Sequence, residues 1–177
     1  MLAGMVRIRE LDPASGDELE LVATRMRKTL EEVLGTEAGR ALYTMDWLRD
    51  RVCFHLDPAR STAAVFVAED AHGTIVGHSI VRLERDDAGR SMGLFSTTFV
   101  APESRRSGIA KQLLLHGEAW MRGHGVTTAV TDTSDANTKL IRLYEAQGYA
   151  IVARESGMVR LSTTFAPVKG GRRPPSE

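Results

Sequence analysis

The sequence predicts an α/β fold: a mixed sheet, antiparallel in its first strands with a parallel step later, flanked by about four helices. Three observations carry this. First, the β-prone runs 63–69, 74–84 and 92–100 follow one another across turn segments too short for a crossover, which favours an antiparallel meander. Second, the apolar period becomes helical from Gly108 and returns to strand-like over 127–133, and a strand–helix–strand unit demands a right-handed crossover and parallel pairing. Third, a chain of 177 residues, 42% hydrophobic and 26% charged, suits one globular domain with its own core.

Taken in order, residues 6–10 alternate apolar and polar and stop before Asp12-Pro13, as a short first strand does. Leu19, Val22, Met26, Leu30, Val33 and Leu34 then recur at helical spacing until Gly35. Leu42, Met45, Leu48 and Val52 repeat the pattern before Asp57-Pro58. Beyond the three β runs, Ile109, Leu113, Gly117, Trp120 and Met121 form one helical stripe that Gly123 and Gly125 end. Residues 127–133 read as a strand, 137–147 as a helix stopped by Gly148, and 149–153 and 158–162 as the last strands. Residues 1–165 form one expected domain, and 166–177, without periodicity, an expected disordered tail.

Charge and composition exclude several classes. The formal net charge is +0, from 23 basic and 23 acidic residues, so no global field draws the chain to nucleic acid or an anionic membrane. The longest apolar run, 63–68, is far short of a membrane span, and Arg7, Arg9 and Glu10 sit where a signal peptide needs apolar residues, so a cytoplasmic protein is expected. Cys53 is the single cysteine; its neighbours Val52, Phe54 and Leu56 suit a buried apolar thiol better than a nucleophile. His55, His72, His78, His116 and His124 show no metal-ligand spacing on one helix, and no metal is expected. Phosphate-loop, dinucleotide-fingerprint, nucleophile-elbow and zincin motifs are absent.

The informative stretch runs from Thr97 to Ala110. A strand ends at Pro102, and a helix opens on Arg105-Arg106-Ser107-Gly108-Ile109-Ala110. Free amides at a helix start carry partial positive charge, and Gly108 and Ala110 leave room for a phosphate to reach them, with Arg105, Arg106 and Lys111 adding full charges. An ordinary strand-to-helix turn with solvated arginines is the competing reading. A second element follows: Asn137 and Tyr144 lie seven residues apart on one helical face, ahead of Gly148-Tyr149. An N-cap asparagine and a core tyrosine would produce the same spacing.

Together these motifs resemble the GNAT superfamily of acyl-CoA-dependent N-acetyltransferases. Arg105-x-x-Gly108-x-Ala110 is similar to its coenzyme loop, and Asn137, Leu143-Tyr144 and Gly148-Tyr149 to its later motif. The resemblance implies a splayed parallel step and acetyl-CoA as acyl donor. Backbone groups of Thr98, Phe99 and Val100 would hold the pantetheine arm, and Arg105, Arg106, Ser107, Gly108, Ile109 and Ala110 the pyrophosphate. Asn137 would bond the pantetheine amides, and Tyr144 would stand near the sulfur. A free thiol has a pKa of about 8.5 and a phenol of about 10, close enough for Tyr144 to protonate the departing thiolate. Where many relatives carry a glutamate before the loop, this chain has Ser96, Thr97 and Thr98, so Glu84, His78 and Asp132 are the candidate bases, acting directly or through water.

The activity so implied is direct transfer of an acetyl group to a primary amine in a ternary complex; a non-catalytic acyl-CoA sensor or scaffold of the same fold is the alternative. The acceptor is a small-molecule or peptide amine. Its wall in the family comes from the region here spanning 19–51 and from 154–157; Glu31, Glu32, Glu37 and Asp46 would either attract a cationic amine or face solvent. An exposed strand or helix face is open to pairing in a homodimer.

Overall fold

The computed structural model describes residues 5–166; the tail expectation for 166–177 therefore falls, beyond residue 166, outside the described residues. The elements are β1 (Arg7–Glu10), α1 (Gly16–Leu34), α2 (Thr36–Leu42), α3 (Met45–Leu56), β2 (Ala63–Glu69), β3 (Ile75–Arg85), β4 (Ser91–Val100), α4 (Ile109–Gly123), β5 (Thr128–Ser134), α5 (Thr138–Ala146), β6 (Ala150–Glu155) and β7 (Met158–Thr164), with one 3-10 turn at Pro102–Ser104. They build a seven-stranded sheet ordered β1-β2-β3-β4-β5-β7-β6, in which only β4 and β5 run parallel.

Local chemistry sets the helix ends. Ser15 caps α1 by accepting from the Glu18 amide at 3.2 Å, and Thr44 caps α3 by accepting from the Trp47 amide at 3.1 Å. Between them lies α2, a fifth helix that apolar spacing alone does not reveal, because its seven residues carry almost no stripe. It forms because Gly35, at φ 90°, ends α1 and turns the chain straight into it, and because Gly39 packs directly on the α1 backbone.

Helices cover both faces of the sheet. Val22 and Ala23 of α1 and Leu48 and Val52 of α3 pack on Val65, Val67 and Ile80. On the other face, Leu113, Leu114 and Met121 of α4 pack on Phe66, Val81 and Phe95. That is why 63–68 reads as an unbroken apolar run: β2 is buried on both faces. Gly117 sits where α4 presses on the sheet; a Cβ there would lie 2.5 Å from the Phe95 ring.

The feature that positions the site is the parting of β4 and β5. They pair only over Gly93–Ala129, Leu94–Val130 and Phe95–Thr131. At that level Ile80 of β3 opposes Thr97 and Val81 opposes Phe95, so Ser96 is an extra residue, a β-bulge that bends β4 away from β5. From Ser96 to Val100 the edge of β4 facing β5 carries no ladder among the described residues.

Candidate active site

The opened strands line a cavity of about 440 Å³, with Ser96, Thr97 and Thr98 of β4 on one side and Thr131, Asp132, Thr133 and Ser134 of β5 on the other. A second cavity of about 200 Å³ adjoins it, sharing Thr29, Val33, Thr98, Asn137 and Leu140 and adding Phe99, Val100, Arg105 and Ala110. The two form one trough that runs along the unpaired edge of β4 toward the start of α4.

The start of α4 is shaped for close approach. Gly108 is the N-cap at φ 80°, and Arg106 also adopts a left-handed φ of 63°. The first helical bond runs from the Gln112 amide to the Gly108 carbonyl, so the amides of Ile109, Ala110 and Lys111 have no helical acceptor. An added Cβ at Gly108 would meet nothing within 4 Å. The glycine therefore serves the left-handed turn itself, a requirement that spacing did not reveal. Arg105 is less available than its charge suggests: Nε donates to the Val100 carbonyl at 2.8 Å, and Nη2 donates to both Glu32 carboxylate oxygens at 3.0 Å. The Ser107 hydroxyl donates to the Ser104 carbonyl, which tightens the loop.

Asn137 caps α5, its Oδ1 accepting from the Leu140 amide at 3.4 Å while Nδ2 donates to Thr133 Oγ1 at 3.1 Å. It lines both cavities. Tyr144 is 1% exposed and packs edge-on against Phe95 and Tyr149, so it lies behind the trough wall and does not line it. Burial drives its phenol well above the ordinary range; hydrogen bonding with Thr98 and Thr131, both wall residues, pulls back against that rise. The acidity match with a thiol, argued from free amino acids, is thus absent at this buried position. Tyr149 is bound elsewhere, its hydroxyl donating to buried Glu118 at 2.9 Å.

The three candidate bases differ sharply in placement. Glu84 is paired with Arg82 at 2.6 Å and does not line the trough, whereas Arg82 does. His78 is fully buried, stacked on Phe99, and both ring nitrogens lack a partner among the described residues; desolvation, then Arg25, holds its pKa down to about 3. Asp132 does line the trough, with its two oxygens bonded to Arg160 at 2.7 Å. Cys53 lines neither cavity.

The far side of the larger cavity comes from α1, α2 and α3: Met26, Leu30, Leu42, Tyr43, Trp47 and Arg51. Of Glu31, Glu32, Glu37 and Asp46, only Glu32 lines the trough, in its smaller cavity. Glu31 holds Arg40, Glu32 holds Arg105, and Asp46 holds Arg49. Tyr43, Trp47 and Arg51 share one helical spacing of four, a signal that is present in the sequence and goes unread when Leu42, Met45, Leu48 and Val52 are taken as the stripe.

The model of the acetyltransferase (GNAT) family matches residues 19–149, from the first turns of α1 to the start of β6. The chain belongs to the GNAT acetyltransferase family. Its curated relatives include a mycothiol acetyltransferase of Thermobispora bispora, 28% identical over 146 residues that make up 81% of this chain. Another, of Propionibacterium freudenreichii, is 30% identical over 136 residues, 77% of this chain. The chain spans less than half the length of these two relatives, 46% and 37%. Among solved structures, a Pyrococcus horikoshii protein superposes with a TM-score of 0.70 at 17% identity, covering 92% of this chain and 99% of that one. The PaiA N-acetyltransferase of Thermoplasma acidophilum, solved with coenzyme A, superposes with a TM-score of 0.66 at 14% identity, over 91% and 99% of the two chains. These likenesses show that the chain shares its overall fold with these structures.

No group of three or more metal-ligating side chains occurs among the described residues, and none of their helices is long and apolar enough to cross a membrane.

Proposed function

We propose that residues 1–165 form one acetyltransferase domain that moves the acetyl group of acetyl-CoA directly to a primary amine within a ternary complex. The observation that carries this reading is the unpaired edge of β4 from Ser96 to Val100, leading straight to the free amides of α4. The pantetheine arm is itself a chain of amides, so it adds to that edge as a strand would, along Thr98, Phe99 and Val100. The pyrophosphate then meets the amides from Arg106 to Ala110, with Ser107 bracing the loop and Arg105 fixing it to Glu32 and Val100. Asn137 keeps one Nδ2 hydrogen for the trough after serving Thr133.

The acceptor nitrogen attacks the thioester carbonyl carbon, the carbon–sulfur bond breaks, the nitrogen loses one proton and the thiolate gains one. Tyr144, buried behind the trough wall, is assigned to the sulfur as a hydrogen-bond donor; its raised pKa keeps it protonated throughout the neutral range. For the nitrogen's proton, position supports Asp132 over Glu84, since Glu84 stands behind Arg82 and would act only through water. The acceptor is a small-molecule or peptide amine. A cytoplasmic setting suits the acetyl-CoA donor and the single free Cys53. The exposed edge strand β6 offers a second copy a place to pair, which sedimentation would read.

Replacing Gly108 with valine tests the pyrophosphate assignment. A non-glycine residue resists the left-handed turn by about 1–2 kcal/mol, and relief of that strain re-aims the amides that follow. Titration calorimetry is expected to show an acetyl-CoA dissociation constant raised by about tenfold, the equivalent of ~1.4 kcal/mol, in a protein that circular dichroism shows to be folded. Unchanged affinity would remove the cradle. Direct transfer is tested at Cys53: Cys53→Ala is expected to keep most of the turnover, and intact-mass analysis should find no acetyl group on the wild-type protein after acetyl-CoA alone is added. A stoichiometric acetyl-Cys53 would establish a covalent relay instead.

A further inference from the structure

We propose that the acceptor amine also carries a carboxylate, and that Arg51 is the specificity-determining residue that binds it. This rests on the acetyl-transfer reading above.

The charge balance of the larger cavity supports it. Arg82 lines the cavity but its donors are taken: Nη2 lies 2.6 Å from Glu84, and Nη1 meets Ser96 Oγ at 3.2 Å and His55 Nε2 at 3.1 Å. His55 Nδ1 lies 2.7 Å from the Arg51 carbonyl, an acceptor, so Nδ1 carries the ring proton and Nε2 accepts from Arg82. Asp132 is neutralised by Arg160 through two bonds of 2.7 Å. Arg51 has no such partner: no carboxylate or carbonyl among the described residues accepts from its guanidinium, which rests on the Phe54 ring at 4.5 Å and reaches over Trp47 at 5.9 Å. The wall holds Arg51, Arg82 and Asp132; with Glu84 paired to Arg82 and Arg160 to Asp132, the surplus positive charge sits on Arg51, partly desolvated and repelled by neighbouring Arg82. A cation held beside another cation in a half-buried cavity is stabilised when an anion enters.

The surroundings say what accompanies the anion. Tyr43 and Trp47 stack with ring centroids 3.9 Å apart and an interplanar angle of 10°, and both line the same cavity as Arg51 from the start of α3 and the turn before it. The Tyr43 carbonyl is pinned by Arg27 Nη2 at 2.8 Å. A small molecule with an amine at the parted strands, an apolar or aromatic body against this stack and a carboxylate on the Arg51 fork fills the features present. A second ammonium, as in a polyamine, finds no carboxylate to meet it there, since Glu20, Asp46 and Asp50 hold Arg49 and Arg60. One unpaired guanidinium matches one negative charge, which favours a carboxylate over a phosphate dianion.

The test uses the full chain with acetyl-CoA and acceptor pairs that differ only in the carboxylate, phenylalanine against phenethylamine and 4-aminobutyrate against butylamine, with 3-aminopropylphosphonate as the dianion arm. The carboxylated member is expected to have a kcat/KM at least about 10-fold higher, the low end for a hydrogen bond to a charged group. Arg51→Met should erase that preference through KM, leave the carboxylate-free amine unchanged and leave the KM for acetyl-CoA unchanged, while Arg51→Lys restores part of it. Thermal unfolding of both variants confirms that they are folded, and the lysine variant carries the test if the methionine variant is not. Equal turnover of both members of each pair, or an Arg51→Met enzyme that keeps the preference, would overturn the assignment; faster turnover of the phosphonate would replace the carboxylate with a dianion. Absence of thiol release with every acceptor would instead sink the acetyl-transfer reading, and the two failures are distinct.

Discussion

Replacing Tyr144 with phenylalanine is expected to lower kcat by about 10²-fold, the low end of what a positioned proton or hydrogen-bond donor contributes, while acetyl-CoA affinity stays near wild type. The low end follows from the structure: burial makes the phenol a poorer acid than the departing thiolate requires, so its contribution is a strong hydrogen bond and not complete proton transfer. Where the hydroxyl serves the fold instead, the same change costs about 1 kcal/mol of stability. Turnover and thermal unfolding measured on one sample separate the two roles. A stability loss of that size with intact kcat would make Tyr144 a core residue whose hydroxyl serves the fold alone.

Acid is expected to destabilise the folded protein well before its carboxylates titrate. Burial, with Arg25 beside His78 and Arg82 beside His55, holds the two imidazoles at about 3 and about 4, against about 6.5 in an unfolded chain. Above pH 6.5 both states are neutral at these positions and nothing is lost. As pH falls below 6.5 the unfolded chain binds protons that the folded one refuses, so stability drops until the folded values are reached. At pH 5 the loss is about 2 kcal/mol for each histidine, a large part of the ~5–15 kcal/mol typical of a domain. Urea unfolding at pH 7.5 and pH 5 reads it directly. His78→Phe, which keeps a ring stacked on Phe99, should flatten the slope; equal stability of the wild type at both pH values would contradict the burial of these rings as neutral groups.

Periodicity and turn chemistry reveal most of the fold because the elements are locally consistent. The strands of the meander end at Asp70–Gly73 and Asp86–Arg90 turns that close on themselves, with Asp70 and Asp86 side chains accepting from the amides that follow. Helix α2 escapes because its existence depends on Gly39 meeting the α1 backbone, a tertiary event. The bulge at Ser96 escapes for a related reason: it is a mismatch between two strands and has no signature within either.

For the site, the positions that open helices are the readable ones, because a cap has a local signature. Ala110 and Asn137 line the trough, and Gly108 caps the helix that opens beside it. Side-chain chemistry is less readable because it depends on partners far off in sequence. Glu84 has the chemistry of a base, but Arg82 bonds it and takes the position facing the cavity; Arg105 has the charge of a free cation, but Glu32, 73 residues away, holds it. Arg51 becomes visible only when its neighbours' charges are paired off.

Whether the trough holds acetyl-CoA for transfer to an amine is decided by following free thiol release from acetyl-CoA across a panel of amines, with the acceptor and the protein both weighed by mass spectrometry afterwards. Transfer in a ternary complex requires release that depends on the acceptor, one acetylated amine for each thiol, and a protein of unchanged mass. Binding of acetyl-CoA without release above the acceptor-free rate for any amine in the panel would show that the trough holds the coenzyme and transfers nothing.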